Sequence, residues 1–543
     1  MSKKKSKFGC FSAIGLLIAL TAAGGYVVKK GWHQLLIGQS LNPLSGAKVI
    51  SNEAVMTSLI YTDSDHWQKA ESLSVNPGAT ALSRVTSEIE QELTALNINY
   101  EEDIQSWLGN AMVAVIPQQD NEAQPNILIV LGIKNPFNAY QFFRKVKAAE
   151  KGELEFTDYK NKRINIINNQ QGEKVNVALL GNKIVLSDDV SAIKQAIDTY
   201  QGEPSLAEDL NGKIALRQPF KFRNELVKVY ITNYNYILNN SNYSTPSQNK
   251  LAELQPVTSV AFGMGVEDNQ LNLQSFAEIN PDFIPTETKS NNNEILNQLP
   301  EETIAFVSGQ GINEFWSGLV AIGEKDRDVK QTIEGIRTAT KWTTGLDLDQ
   351  DVFNWMDGEF ALEIVSTNRT IIPELNLKLG TVMLFESSDR DTANNTLNAL
   401  DNQIQQQLGV ASLQKQFKQQ TVNQLSVPNS NLNLSYGWID KKNLLLTFGS
   451  GVFESLENDN QSSLAKSLDF KQIAQELPKK NQGYFYFNVE KALIEFKQIP
   501  GLPIDYDSET VKTIESIKSI GATSSIVDSD TSKLDMVILF KDN

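Results

Sequence analysis

The sequence predicts an α+β protein: an N-terminal transmembrane helix followed by two duplicated domains, each an antiparallel sheet with helices packed on one face. Three observations carry this expectation. Phe8 to Val28 is a run of 21 residues without a charge, three long segments recur in the same order roughly 250 residues apart, and strand-like and helix-like periods alternate within each copy.

At about 1.5 Å rise per residue, the uncharged run is long enough for the roughly 30 Å hydrocarbon core of a bilayer. Lys3, Lys4, Lys5 and Lys7 precede it, and Lys29 and Lys30 follow. That asymmetry sets the N-terminus inside and the rest of the chain across the membrane. A cleaved signal peptide is the competing reading, because Leu16 to Leu20 is followed by the small residues Thr21-Ala22-Ala23. The retained anchor is preferred: the apolar run continues through Val28, and Tyr26 and Trp32 sit at the level of an interfacial aromatic belt. Cys10 lies near the start of the run, where a small apolar residue in a helix explains it better than lipidation.

The duplication rests on three pairings. EEDIQSWLGNAMVAVI from Glu101 matches DQDVFNWMDGEFALEIV from Asp349, which aligns Asp103 with Asp351 and Trp107 with Trp355 at an offset of 248. Upstream, the segment ending at Trp67 matches the one ending at Trp316, at an offset of 249. Downstream, the stretch from Val257 resembles that from Ile517. The expected organisation is a basic tail (1–7), the anchor (8–28), a juxtamembrane linker (29–46), the first domain (47–280), a Pro- and Asn-rich linker (281–295) and the second domain (296–543).

Element by element, Leu82, Val85, Ile89, Leu93 and Leu96 predict one helical face, and Val329, Ile333 and Ile336 predict another in the second copy. NILIVLGI and VNVALLGNKIVLSDD read as strands, the latter folding at Gly181-Asn182 as a hairpin. Asn135-Pro136 supplies a cap and a first-turn proline for the helix that follows. Its counterpart runs from Asp391 with Ala393, Leu397, Leu400, Ile404 and Leu408 on one face and stops at Gly409.

The six lysines of residues 1–30, which include no acid, leave 43 basic residues against 65 acidic ones, a net −22 over the rest of the chain. Such a surface repels nucleic acid and argues against a long adhesive face on anionic lipid. No cysteine follows Cys10, so an exported region contains no disulfide and is held by conventional cores. The basic N-terminus, single apolar helix and two Asp-(Ile/Val)-x-x-Trp copies resemble an anchored cyanobacterial family catalogued as a domain of unknown function (DUF thirty-three fifty-two). The resemblance spans essentially the whole chain. It implies a single-pass protein with its bulk in the periplasm or thylakoid lumen, and it assigns no catalytic residue.

Histidine is nearly absent: His33 and His66 are the two in the chain, and nothing after residue 66 supplies an imidazole. Without cysteine, this excludes His/Cys zinc sites, Cys-His dyads and Ser-His-Asp triads from nearly all of both domains. Asp347, Asp349 and Asp351 have the spacing of the first three EF-hand ligands, but Val352 stands where glycine is required and Gly358 where a glutamate belongs. A helix N-cap at Asp103 and Asp351, with Trp107 and Trp355 packing one turn on, is the preferred reading. Ser463 and Lys466 have Ser-x-x-Lys spacing without the companion motifs. Asn239 and Asn242 head sequons in a polar loop.

No catalytic, cofactor-binding or metal-ligating residue is therefore assigned, and no cofactor is expected. The leading function is a non-enzymatic binding or assembly module. Its partners would be the membrane, through the N-terminal helix, and a protein in or at the membrane, with no nucleic acid. A carboxylate-dependent envelope hydrolase and a carrier of lipid or another apolar ligand are the alternatives.

Overall fold

A computed structural model describes residues 40–73, 99–118, 124–149, 155–168, 174–234, 236–237, 257–279, 291–325, 327–370, 376–410, 412–417, 419–427, 432–449, 451–456, 462–501 and 508–542. Two compact units divide the chain: Met1–Asn242 with Val257–Asp268 and Leu273–Glu278, and Tyr243–Pro256 with Asn269–Asn272 and Ile279–Asn543.

In the first unit the strands are β1 Met56–Ile60, β2 Leu108–Ile116, β3 Asn126–Ile133, β4 Glu155–Tyr159, β5 Lys162–Asn168, β6 Lys174–Leu180, β7 Lys183–Ser187, β8 Asn224–Ile231, β9 Val257–Glu267 and β10 Gln270–Ile279. Their order across the sheet is β4-β5-β6-β7-β3-β2-β1-β8-β9-β10. The pairings from β4 to β9 are all antiparallel.

The second unit contains β11 Thr303–Gln310, β12 Glu359–Ser366, β13 Leu379–Glu386, β14 Ser412–Phe417, β15 Gln420–Ser426, β16 Asn433–Trp438, β17 Asn443–Phe448, β18 Tyr484–Asn488, β19 Ile517–Ile526 and β20 Thr531–Phe540. Their order, antiparallel throughout, is β14-β15-β16-β17-β13-β12-β11-β18-β19-β20. Adding ten to each strand number of the first unit reproduces the order of the second. The three matched sequence segments fall on β1 and β11, on β2 and β12, and on the hairpins β9-β10 and β19-β20.

Local chemistry accounts for these elements. Asn135 Oδ1 accepts from the N–H groups of Phe137 and Asn138, both at 3.1 Å, and Pro136 opens the helix Pro136–Ala149. Gly181, at φ +64°, closes the β6-β7 hairpin in a conformation that side chains rarely adopt. The helix Arg390–Leu408 starts at Asp389, whose side chain accepts from the Thr392 N–H, and ends at Gly409, also at φ +64°.

The expected fold class is corrected in two respects. Among the described residues no helix is long and apolar enough to cross a membrane. The long helices Arg390–Leu408 and Arg327–Thr344 are amphipathic and rich in polar and charged residues. The span expected at 8–28 lies outside the described residues, and the architecture of the described residues is antiparallel sheet with helices, none of them a transmembrane helix.

Helices also pack on both faces of the second sheet rather than one. Ala361, Val382, Leu384 and Leu445 point into a core with Phe453, Phe470 and Ile473 from the helices Val452–Leu456 and Leu468–Ala474. Their strand neighbours Leu362, Met383, Phe385 and Leu444 point the other way, to Ala393, Leu397 and Ile404 of the Arg390–Leu408 helix. Strands such as FALEIV and NLLLTF are apolar at consecutive positions, which is the pattern of a sheet covered on both sides.

Candidate functional site

Each unit contains a six-residue π-helical turn, Tyr100–Gln105 and Leu348–Phe353, on the approach to the second strand. Such turns are rare in globular proteins. The N-caps are Asn99 and Asp347, so the expected caps Asp103 and Asp351 are corrected: they sit inside the turns. Their carboxylates reach back to the cap instead, Asp103 Oδ2 accepting from the Asn99 N–H at 2.9 Å and Asp351 Oδ2 from the Asp347 N–H at 2.7 Å. In return the Asn99 side chain accepts from the Glu102 N–H, and that of Asp347 from the N–H groups of Asp349 and Gln350. Trp107 Nε1 then donates to the Asp103 carbonyl at 2.8 Å and Trp355 Nε1 to the Asp351 carbonyl at 3.0 Å. Both indoles are buried.

The three aspartates of the calcium-like run are thus used separately. Asp347 caps, Asp351 closes the cap, and Asp349 faces another element. Its carboxylate is held by Arg337, Nε to Oδ2 at 2.7 Å and Nη2 to Oδ1 at 2.8 Å, while Trp316 Nε1 donates to Oδ1 at 2.6 Å. Arg337 also donates to Glu334 at 2.9 Å. The guanidinium holds the Asp349 carboxyl below its usual range, and the indole N–H adds to the effect. Beside this pair lies a hollow of about 210 Å³ lined by Asn313, Trp316, Ser317, Val320, Asp349, Phe353 and Asn354. Trp316 packs on Phe353 with ring centroids 4.8 Å apart. A carboxylate that is already neutralised and triply bonded is a poor general base, and the hollow is smaller than the roughly 300–1,000 Å³ of a drug-sized pocket.

Among the described residues of the second unit four acids are buried, Glu359, Glu363, Glu495 and Asp535, and the first two share β12. Glu363 is fully buried on β12, opposite Phe306 and Val382. Thr303 Oγ1 contacts both Glu363 and, at 2.5 Å, the Pro300 carbonyl. Burial pushes Glu363 well above the usual carboxylate range. Glu359, four residues earlier on the same face, accepts from the Ile295 N–H at 3.0 Å. Both face the packed side of the sheet, and neither lines the hollow.

On the opposite face, registered pairings align Leu446, Met383, Leu362, Val307 and Phe485 in one row across β17, β13, β12, β11 and β18. The adjacent row is Phe448, Thr381, Ile364, Ala305 and Phe487. The Arg390–Leu408 helix covers one end of this surface. Beyond it Val307, Ile364, Phe448 and Phe485 stay 41–44% exposed. In the first unit the row through Leu186, Ile129, Val113, Ser58 and Val229 has a serine in the β1 position and contributes no large exposed apolar side chain.

Of the other residues singled out by sequence, His66 sits on the helix Ser64–Ser72, where Nδ1 donates to the Glu225 carbonyl at 2.9 Å. Trp67, aligned with Trp316, donates to the Tyr61 carbonyl at 2.6 Å instead of to an acid. Ser463 leads a short 3-10 turn, and Lys466 at its end is exposed. Among the described residues no three His, Cys, Asp or Glu side chains cluster as metal ligands. Cys10, His33, Asn239, Asn242 and the face from Leu82 to Leu96 lie outside the described residues. Sequence reasoning missed the Arg337–Asp349 clamp and the acids inside the core; the lone acid at the centre of the otherwise apolar ALEIV was the available signal for Glu363.

The chain is thus an antiparallel α+β protein of two units with matching strand order. The family described as "Protein of unknown function (DUF3352)" matches residues 10–540, and the chain belongs to that family. No curated protein matches the sequence. Among solved structures, crystal forms III and IV of TP0453 share 12% identity and a TM-score of 0.26, covering 44% and 43% of this chain and 80% of that chain. An overlap of that size has no bearing on function.

Proposed function

We propose that the protein is a non-enzymatic binding or assembly module that works outside the cytoplasm and seats a protein partner on the open sheet face of its second unit. The observation that carries the reading is the pair of registered apolar rows across five strands, four of whose side chains remain substantially exposed. Contiguous apolar patches of this kind mark contact surfaces on soluble domains. A flat, open face suits a protein surface better than a small apolar ligand, which would need an enclosing cavity. The extracytoplasmic location is supported by the basic, export-like N-terminus and the absence of cysteine beyond Cys10. The cyanobacterial lineage implied by the sequence resemblance belongs to the same reading.

A photo-crosslinking residue placed at Phe485 or Val307 of the full chain tests it, with Leu468, an exposed apolar residue on a helix, as control. The reading expects one discrete adduct from both sheet positions and none from Leu468. No adduct, or the same adducts from all three positions, would overturn it.

A further inference from the structure

We infer that the hollow beside Trp316 and Asp349 is a binding site for a neutral, hydroxyl-bearing ring of the size of a single pyranose sugar. The inference is independent of the sheet face and rests on the donor and acceptor set of the hollow. Asn354 is exposed at its rim and has no side-chain hydrogen-bond partner among the described residues. The Asn313 amide nitrogen is similarly uncommitted, its oxygen accepting from the Glu314 N–H at 2.8 Å. The Ser317 hydroxyl donates to the Asn313 carbonyl at 2.8 Å and retains its acceptor lone pairs.

Asp349 supplies the remaining acceptor. A carboxylate has about four lone-pair positions, and Arg337 and Trp316 occupy three of those on Asp349. Its side chain is 35% exposed, which leaves the last position reachable by a ligand O–H.

Charge selects the ligand class. The bidentate guanidinium cancels the carboxylate in place, so a cation would have to displace Arg337 and an anion would meet Asp349. A neutral ligand with alternating O–H donors and acceptors is subject to neither conflict. The Trp316 and Phe353 rings and Val320 offer apolar contact to the C–H face of such a ring. With one acid at its wall, and that acid locked, the hollow binds without the pair of carboxyl groups, about 5–10 Å apart, that glycoside cleavage requires. In the first unit the aligned Trp67 donates to a main-chain carbonyl rather than to an acid.

Saturation-transfer NMR on the full chain tests the inference, with methyl β-glucopyranoside and myo-inositol as probes and acetate and tetramethylammonium as charged controls. Transfer to the ring protons of at least one neutral probe is expected, with loss of that signal in Asn354→Leu, which fills the rim while leaving the Arg337–Asp349 pair untouched. Trp316→Phe, which keeps a ring and removes the donor to Asp349, should weaken the signal. Absence of transfer from both neutral probes, an undiminished signal in Asn354→Leu, or a stronger signal from either charged control would overturn it.

Discussion

Trp355, just past the end of a π-turn, donates its indole N–H back to the carbonyl oxygen of Asp351 within the turn across 3.0 Å. The same bond joins Trp107 to Asp103 at 2.8 Å in the first unit. Each indole lies four residues beyond the acid whose carbonyl it caps, and each acid returns its carboxylate to the start of the turn. The motif ties the entry to the second strand of either unit to a large buried ring.

Removing that ring should be severe. Trp107→Ala or Trp355→Ala leaves a large cavity, and either is expected to cost about 3–5 kcal/mol in denaturant unfolding of its unit. Phe at the same position keeps most of the packing and loses one hydrogen bond, a loss of about 1 kcal/mol. Equal losses for Ala and Phe would show that the ring contributes little.

Glu363 makes stability depend on pH in the direction opposite to most acids. Its folded pKa lies above the unfolded value of about 4.3, so its contribution is complete below that pH and is lost as pH rises through the folded pKa. Thr303, Glu302 and Lys491 are the groups acting on it. Glu363→Gln, neutral throughout, should flatten the decline in unfolding midpoint between mildly acidic and alkaline buffer; an unchanged slope would assign the effect elsewhere.

The Arg337–Asp349 pair has the ordinary sign. The folded pKa of Asp349 is lowered, so its contribution is present above the unfolded value of about 3.9 and fades as pH falls through the folded one. Because the partners are partly exposed, Asp349→Asn should cost no more than about 1 kcal/mol at neutral pH. Thermal melts at low and high salt should show the difference shrinking as salt is added.

Gly409 offers a purely conformational test. It ends the Arg390–Leu408 helix at φ +64° with open space around it, so Gly409→Ala meets no clash and carries only the left-handed backbone strain, about 1 kcal/mol. Gly409→Asn should recover part of that loss, since asparagine tolerates the conformation better. Equal stabilities for the three variants in urea titrations would contradict the assignment.

The sequence by itself determined what is local or periodic. The Asn135-Pro136 helix start, the Gly181-Asn182 hairpin and the Gly409 stop depend on backbone chemistry within a few residues, and each stands where its residues predict it. The recurrence of Asp103 and Trp107 as Asp351 and Trp355 was legible because it is written in the residues themselves. What those aspartates do was not legible: whether a carboxylate caps a turn or reaches back to close a cap depends on whether the turn is α or π, a difference in hydrogen-bond register that no residue type announces.

Only the tertiary structure decided the rest. Arg337 meets Asp349 because a helical hairpin returns past the π-turn, and Ile336, expected on the apolar face with Val329 and Ile333, is instead 45% exposed. The open apolar face arises from register: strands distant in sequence align Val307 with Phe485 and with Leu362. Apolar periodicity marks which residues avoid water, but which of them a neighbour covers depends on long-range pairing, and that is fixed only when the chain closes into its sheet.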